Sequence, residues 1–320
     1  MADELRLEGV SADDIRSELQ ARSRPGEPTV TASEADAPAS PLSSVPTGDL
    51  VAALATVEKG IYGVDDRKDF YEFPSDDVRR VADSVAALFR AGDVVSNGDG
   101  TSTLRTETLQ SAQRVCAKER FAAQPTGAFC TGFLVGPDLV ATAGHCVNEG
   151  NVTTVRFVFG FRMTDETTAV GTIADSDIYS GRELVGRVLE PGGSDWALVR
   201  LDREAGGRRP LTIRTTAQIA QGAAVSVMGH PSGLPLKFAD GAEVRDNSAR
   251  AFFVANLDTY GGNSGSPVFG ANFVVEGILV RGGTDYLLNV NCYVSKVCPS
   301  TGCRGEDCTR ITELPLDKIS

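Results

Sequence analysis

Residues 259–269, TYGGNSGSPVF, place a serine among glycines and directly before a strand-like apolar run. The glycines beside Ser264 leave room for a substrate at its hydroxyl group and let backbone N–H groups turn toward that substrate. The same residue types are usual in a tight turn between two strands. This stretch alone therefore leaves a nucleophile and a plain turn equally open, and the rest of the chain has to supply a base.

A serine hydroxyl is a weak nucleophile at neutral pH and needs a base, usually a histidine that an acid orients. The chain has two histidines, His145 and His230, and both precede Ser264. The hydrolase order of serine, acid and then histidine is therefore excluded. His145 ends an apolar run in residues 142–146, TAGHC, where the plain alternative is a strand-end histidine without chemistry. His230 stands before a proline in a turn, and we expect a solvated loop residue there.

Asp195 is the best placed acid, because residues 193–199, GSDWALV, put its carboxylate at the start of an apolar run that is typical of a buried strand. A buried carboxylate needs a partner, and an imidazole N–H would supply one. The other aspartates that we considered lie in turn-like or solvated contexts: Asp165, Asp175, Asp177, Asp202, Asp240, Asp246 and Asp258.

Short apolar runs separated by turn residues fill the chain from about residue 127. One group of runs precedes a break at residues 202–210, and a second group follows it. Two successive groups of roughly six strands predict an all-β fold of two antiparallel barrels. The runs are 128–135, 138–143, 153–159, 169–173, 183–189, 196–201, 211–214, 223–228, 236–239, 251–255, 266–269, 273–280 and 286–290. Upstream, residues 76–91 fit a helix or, from Ser84, a strand equally well.

The N-terminal part of the chain differs in composition from the rest. Residues 1–60 carry 11 acidic and 5 basic side chains, a net charge of −6 out of −12 for the whole chain. Prolines cluster in residues 22–48, which favours a disordered linker. The chain has no basic stripe that would fit nucleic acid. It also has no apolar run near the roughly 18 residues of a membrane span.

The motifs around His145, Asp195 and Ser264, in that order, resemble the chymotrypsin-fold (trypsin-like) serine proteases, and most closely the bacterial V8-like glutamyl endopeptidases. The resemblance covers about residues 61–290, and residues 61–67, IYGVDDR, are similar to the mature start of glutamyl endopeptidases. It implies two six-stranded antiparallel barrels, at about 115–205 and 206–295, within a protease domain of residues 61–320. Residues 292–320 would form a Cys-containing tail, and residues 1–60 an extension or the pro-segment of a zymogen.

The resemblance also implies a mechanism, in which Ser264 attacks a peptide carbonyl to form an acyl-enzyme. His145 takes the proton, and Asp195 orients the imidazole. The N–H groups of Gly262 and Ser264 would form the oxyanion hole. The substrate would be a peptide or protein, with no metal, cofactor, nucleic acid or membrane involved. The alternative is a non-catalytic or regulated intracellular module that a partner recruits through the N-terminal tail.

Three residues are candidates for substrate selection. Thr259 stands where the glutamyl branch has a threonine that helps to bind a glutamate side chain. The histidine of that branch, on the strand after the nucleophile, has no counterpart in residues 277–283, GILVRGG. Arg281 would supply positive charge for an acidic P1 residue, or else point to solvent. Asp258 holds the place of the specificity aspartate of trypsin, but a similar run occurs in glutamyl endopeptidases. We therefore expect an acidic P1 preference.

The chain has seven cysteines, and an odd number leaves at least one of them outside an intramolecular disulfide. The resemblance implies a bridge between Cys130 and Cys146. Cys298 and Cys303 close a short loop, and pairing Cys116 with Cys292 would leave Cys308 over. A zinc site from the last four cysteines is the alternative, although their spacing is unusual. Disulfides predict a secreted or extracellular protein. Residues 1–5 do not resemble a secretory signal, which keeps a cytoplasmic protein as the alternative.

Overall fold

The structure, a computed structural model, describes residues 60–190, 192–282 and 285–319. The extension predicted for residues 1–60 therefore lies outside the described residues, apart from Gly60. The described α-helices are α1 (Asp76–Ala82) and α2 (Leu109–Gln113). Neither of them is long and apolar enough to cross a membrane. Helix α1 begins where the Ser75 side chain accepts a hydrogen bond from Val78 N.

The described strands, in chain order, are β1 (Ile61–Tyr62), β2 (Lys68–Asp69), β3 (Val85–Arg90), β4 (Val94–Ser96), β5 (Thr101–Leu104), β6 (Glu107–Thr108), β7 (Pro125–Thr126), β8 (Cys130–Leu134), β9 (Leu139–Thr142), β10 (Val155–Phe159), β11 (Thr172–Ala174), β12 (Ile178–Leu189), β13 (Asp195–Leu201), β14 (Ala224–Gly229), β15 (Lys237–Asp246), β16 (Phe252–Ala255), β17 (Pro267–Phe269), β18 (Val275–Arg281), β19 (Tyr286–Asn289), β20 (Cys292–Ser295), β21 (Val297–Cys298) and β22 (Glu306–Arg310). Short 3₁₀ turns occupy Phe70–Glu72, Ala91–Asp93, Val152–Thr154, Asp175–Asp177, Pro231–Gly233, Ala271–Phe273, Ile311–Glu313 and Leu316–Lys318.

Barrel one is closed by six antiparallel strands in the order β10-β12-β13-β9-β8-β3. Strand β3 lies well before residue 115, where we expected this barrel to begin, and residues 76–91 contain both helix α1 and strand β3. Alternate residues of β3 enter two different cores: Ala86 and Leu88 join the main core, whereas Ala87 and Phe89 join a separate cluster with Phe161. Because both faces are buried, β3 shows no polar alternation that would have marked it as a strand.

Barrel two is closed by six antiparallel strands in the order β14-β17-β18-β22-β16-β15, and β2 pairs with β15 outside the ring. The all-β, two-barrel prediction is therefore confirmed. Strand β22 lies beyond residue 295, where we expected barrel two to end, in the predicted tail. All five of its residues are buried although most of them are polar, so a hydrophobicity pattern could not reveal it.

Disulfides join Cys130 to Cys146, Cys116 to Cys292 and Cys298 to Cys303. Three of the four cysteines of the alternative zinc site are therefore not available as thiolates, and that alternative is wrong. Cys308 keeps its thiol, which is buried and lies 3.7 Å from Glu306 O. The bridge from Cys116 fixes the β19–β20 hairpin to the segment between β3 and β8 of barrel one.

The two barrels meet where strand ends of barrel one face loops and strands of barrel two. Thr131 N, in β8, donates to Ser264 O at 2.9 Å. Asp195 N, at the start of β13, donates to Thr309 Oγ1 in β22 at 3.1 Å. This junction brings the three sequence motifs to one place.

Candidate active site

His145 and Asp195 come together because β9 and β13 are antiparallel neighbours, with Ala197 opposite Thr142. The end of β9 therefore lies beside the start of β13. His145 Nδ1 donates to Asp195 Oδ2 at 2.8 Å, and the backbone N–H of His145 donates to Asp195 Oδ1 at 3.1 Å. Since Nδ1 carries the proton, Nε2 of the neutral ring is left with its lone pair, as a general base requires.

Asp195 is 1% exposed, whereas the His145 side chain is 37% exposed. Burial by itself would raise the pKa of Asp195. The hydrogen bond and charge of His145, together with the charge of Arg281, outweigh burial and hold this pKa below its usual value. Asp195 is therefore a carboxylate at neutral pH and accepts both N–H groups of His145.

Gly144 allows this close packing. A Cβ at this position would lie 2.2 Å from Val188 O and 2.8 Å from Trp196 O. Both atoms belong to the backbone of paired strands, which cannot move without disturbing β12 and β13. Glycine is therefore needed beside the histidine so that the end of β9 can approach β12 and β13.

Ser264 lies in the loop between β16 and β17, with left-handed glycines on both sides at Gly262 (φ +84°) and Gly265 (φ +90°). A Cβ on Gly265 would lie 2.0 Å from Thr131 O, so the loop passes very close to barrel one. The Ser264 residue is 8% exposed, and its Oγ lies 3.5 Å from Val280 O. The backbone conformation that presents this serine thus requires glycine.

Two anchored carbonyls set the direction of the backbone N–H groups beside Ser264. Gly261 O accepts from Ser232 N, and Asn263 O accepts from Ser266 N at 3.0 Å. The N–H of a trans peptide points away from the carbonyl of the same peptide. The N–H groups of Gly262 and Ser264 therefore point away from these contacts. Among the described residues, neither N–H donates to a protein acceptor, so both are available to bind an oxyanion.

His145 and Ser264 line the same cavity, which has a volume of about 760 Å³. Gly262 and the Cys130–Cys146 disulfide form part of its wall. The sulfur atoms of this disulfide lie within 4.8 Å of a ring nitrogen of His145, but disulfide sulfur is not a thiolate ligand, so this group is not a metal site. The cavity is therefore lined by an imidazole bonded to a carboxylate, a hydroxyl group and residues with unengaged backbone N–H groups.

Asp258 and Thr259, which were predicted to bind substrate, do not line this cavity. Thr259 is 0% exposed, and its Oγ1 accepts from Asn263 Nδ2 at 2.5 Å. Asp258 accepts from the backbone of Tyr62 at 2.7 Å and of Asp66 at 3.1 Å. Both side chains support the backbone of the loop and of the N-terminal segment that packs beneath it.

Asp258, which is buried, and Asp66, which is half-buried, also form an acidic pair. Burial and the charge of Asp258 raise the pKa of Asp66 to about 8, and burial raises the pKa of Asp258 as well. The charge of Asp258 therefore favours a neutral Asp66 carboxyl group. This contact attaches residues 61–66 to the loop that carries Ser264.

Arg281 also does not line the cavity. Its Nη2 donates to Gly193 O at 2.7 Å, and its Nε donates to Asp307 Oδ2 at 3.1 Å. The guanidinium group thus lies against the loop that precedes Asp195 and does not point freely to solvent. The sequence correctly placed Arg281 at the end of a strand, but it did not predict the direction of the side chain.

His230 was expected to be a solvated loop residue, and this expectation is wrong, because the residue is 1% exposed. Its Nδ1 donates to Leu234 O at 2.9 Å, and its ring stacks on Phe161 with centroids 5.9 Å apart. Burial lowers the pKa of His230 to about 3, even though the bond to Leu234 opposes this change. The ring is therefore neutral and belongs to the core.

The sequence did not reveal the residues that hold the Gly261 peptide. Ser232, at φ +52°, donates its N–H to Gly261 O, and its Oγ lies 2.8 Å from Tyr286 OH. Asp285 Oδ2 accepts from Gly261 N at 2.7 Å. The sequence shows turn residues after Pro231, but the contact of Ser232 with Gly261, 29 residues further along the chain, depends on the tertiary fold.

Residues 130–278 match the family of the trypsin-like peptidase domain. A glutamyl endopeptidase of Staphylococcus epidermidis is 26% identical over 180 residues, which are 52% of this chain and 58% of that relative. The chain therefore spans less than two thirds of the relative's length.

Among solved structures, a Glu endopeptidase in complex with MPD has a TM-score of 0.45 and 18% identity, over 81% of this chain and 97% of its own. HBP, solved at atomic resolution, has a TM-score of 0.48 and 15% identity, over 78% of this chain and 92% of its own. The likeness to a trypsin-like peptidase domain rests on the sequence matches and not on these structural likenesses. Over residues 130–278 the chain is similar to the trypsin-like peptidase domain, and it is related in sequence to a glutamyl endopeptidase.

Proposed function

We propose that the protein is a serine endopeptidase in which Ser264 is the nucleophile, His145 the base and Asp195 the orienting acid. The observation that carries this proposal is the placement of the bonded His145–Asp195 pair and of Ser264 on one cavity. The unengaged N–H groups of Gly262 and Ser264 support it, because acyl transfer needs donors for a developing oxyanion.

In the first step, Ser264 Oγ forms a bond to the carbonyl carbon of the substrate while His145 Nε2 takes the hydroxyl proton. The carbonyl oxygen becomes an oxyanion that accepts from the N–H groups of Gly262 and Ser264. Collapse breaks the C–N bond, and the amine leaves with the proton from His145. Water then hydrolyses the acyl-enzyme by the same route and restores the Ser264 hydroxyl.

The described position of the Ser264 hydroxyl, 3.5 Å from Val280 O, fits a resting enzyme. Rotation about the Cα–Cβ bond of Ser264 turns Oγ toward the cavity that His145 lines. Catalytic hydrogen bonds are often formed only when substrate is bound. We therefore place the contact between Ser264 and His145 in the substrate complex.

An acidic P1 preference belongs to the proposal because the Staphylococcus epidermidis relative is a glutamyl endopeptidase. Internal contacts engage Thr259 and Arg281, so the preference rests on that relative and not on these side chains. The three disulfides favour an oxidising compartment, and we propose that the protein acts outside the cell. A pro-segment function of residues 1–60, or a partner for this tail, stays a prediction.

The test is a cleavage profile of the full chain on a peptide library that varies P1, with Ser264→Ala and the matched variant Ser248→Ala. Ser248 is exposed and lies outside the cavity. We expect cleavage after acidic residues by the wild type and by Ser248→Ala, and none by Ser264→Ala. Cleavage by Ser264→Ala at the wild-type rate would overturn the assignment, and cleavage without acidic preference would overturn the P1 proposal alone.

A further inference from the structure

Three consecutive residues at the entry to β13 are each held by barrel two. The carbonyl oxygen of Gly193 accepts from Arg281 Nη2 at 2.7 Å. Ser194 Oγ donates to Glu313 Oε2 at 2.6 Å. Asp195 N donates to Thr309 Oγ1 at 3.1 Å. The segment that carries the acid of barrel one is therefore attached to barrel two at every residue.

Contacts other than the hydrogen bond to Gly193 also hold the Arg281 side chain in place. It stands opposite Asp307 in the pairing of β18 with β22, and its Nε donates to Asp307 Oδ2 at 3.1 Å. Arg304 Nη1 lies 2.5 Å from the other oxygen of Asp307. The guanidinium carbon also lies 5.4 Å from the centroid of the Phe252 ring. These contacts limit the rotamers of Arg281, so its second N–H group meets Gly193 O with little further loss of entropy.

The position of this contact matters because the catalytic groups are divided between the barrels. His145 and Asp195 lie on barrel one, and Ser264 lies on barrel two. A displacement of about 1 Å between reacting groups can cost on the order of 10²-fold in rate. A side chain that joins the Asp195 segment to barrel two therefore controls the alignment of base and nucleophile.

We propose that Arg281 is a positioning residue that holds the Gly193–Asp195 segment on barrel two and so keeps the Asp195–His145 pair aligned with Ser264. This inference rests on the proposed peptidase function for its kinetic consequence. It differs from the two alternatives that the sequence left open for Arg281, which were binding of an acidic substrate side chain and exposure to solvent.

The kinetic test uses Arg281→Gln and Arg281→Lys in the full chain, on matched peptides that carry glutamate or glutamine at P1. A positioning role predicts that Arg281→Gln lowers kcat at least tenfold on both peptides, with KM changed less than threefold. Arg281→Lys keeps one donor and should lose less. If Arg281→Gln raises KM for the glutamate peptide alone, or leaves kcat at the wild-type value, the proposal is wrong.

A matched control is Arg203→Gln, because Arg203 donates to the backbone carbonyls of Asp175, Ser176 and Ile178 and packs on Tyr179 within barrel one. This variant should keep the wild-type kcat. If Arg281→Gln does not fold, Asp307→Asn removes the ionic support of Arg281 with a smaller change. It should lower kcat in the same direction, and an unchanged kcat would count against the proposal.

A readout independent of activity separates this inference from the proposed function. The chain has two histidines, His145 and His230, so the ring N–H signal that is missing in His145→Ala belongs to His145. In proton NMR, the His145 Nδ1–H held by Asp195 should give a sharp downfield signal in the wild type. We expect it to broaden in Arg281→Gln and to stay sharp in Arg203→Gln. A sharp signal in folded Arg281→Gln would overturn the positioning role, whether or not the wild type cleaves peptides.

Discussion

At the scale of single residues, glycines determine where the backbone can place the Ser264 hydroxyl group. The sequence showed glycines around Ser264, but it did not show which of them the fold requires. Gly265 combines a φ of +90° with a hypothetical Cβ only 2.0 Å from Thr131 O and 2.3 Å from Thr142 Oγ1. Gly206, in contrast, has no atom within 4 Å of such a Cβ.

Gly265→Ala should therefore lower the free energy of unfolding by about 2–4 kcal/mol, because backbone strain adds to a clash with barrel one. Urea unfolding of the variant, the wild type and the control Gly206→Ala measures this difference. Gly206→Ala should stay within about 0.5 kcal/mol of the wild type, as is usual for open surface sites. Equal stability of the two variants would contradict the close packing of the Ser264 loop on barrel one.

The triad candidates could be found from sequence because each stands in a local pattern with its own chemistry. The directions of their neighbours could not be found in this way. Arg281 was placed on the correct strand but turns toward Gly193, and His230 has turn-like neighbours but enters the core. Both outcomes depend on contacts with residues distant in sequence, which a local pattern does not contain.

At the scale of elements, the β19–β20 hairpin and the Pro231–Gly233 turn hold the Gly261 peptide from two sides. Asp285, which directly precedes β19, accepts the N–H of Gly261, and Ser232 donates to the carbonyl oxygen of Gly261. Tyr286 OH joins the hairpin to the turn through Ser232 Oγ. Because the carbonyl of Gly261 sets the direction of the Gly262 N–H, these elements control the proposed oxyanion hole.

Tyr286→Phe should loosen this arrangement without removing any group that touches substrate. We expect kcat to fall about three- to tenfold and the affinity for a peptide boronate, which needs the oxyanion donors, to fall by a similar factor. Affinity for an uncleaved peptide bound to Ser264→Ala should not change. The control Tyr71→Phe alters an exposed tyrosine, 37% exposed, and should have no effect. A boronate affinity equal to that of the wild type would contradict the role of the hairpin.

Strand β22 shows why element boundaries were harder to predict than element types. Its residues include Glu306, Asp307, Thr309 and Arg310, all of which are buried. Their burial is possible because they meet partners such as Arg281 and the backbone of Asp195. A strand that is stabilised by such polar contacts cannot be recognised from alternating hydrophobicity.

At the scale of the whole molecule, two barrels that lie next to each other in sequence come together through a polar junction. The order of the strand groups and the crossover were predictable because turn residues separate short apolar runs. The edges of the barrels were not, since β3 is buried on both faces and β22 is polar. Buried titratable groups make the stability of the folded chain depend on pH.

His230 predicts one such dependence. Its ordinary pKa of 6.5 falls to about 3 in the folded protein because of burial, with the charge of Lys237 adding to the effect. Below pH 6.5 the unfolded chain binds a proton at this residue and the folded chain does not, so stability falls as pH decreases. Between pH 6.5 and 4.5 the loss from this residue should be roughly 2–3 kcal/mol.

Urea unfolding at both pH values, with His230→Phe as the comparison, measures this loss. Phenylalanine keeps an aromatic ring for the stacking contact with Phe161 but cannot bind the proton. The wild type should therefore lose roughly 2–3 kcal/mol more than His230→Phe on acidification. A parallel decrease in the two proteins would show that His230 does not stay neutral in the folded state.

The central claim is that Ser264 is a nucleophile which His145 activates across the junction of the barrels. The most direct measurement is reaction of the full chain with a fluorophosphonate, with the modified residue mapped by mass spectrometry. We expect a single phosphonylated residue, Ser264, in the wild type and in Ser248→Ala, at a rate that falls at least 10³-fold in His145→Ala. Modification of a different serine, or modification of Ser264 at the same rate in His145→Ala, would contradict the account.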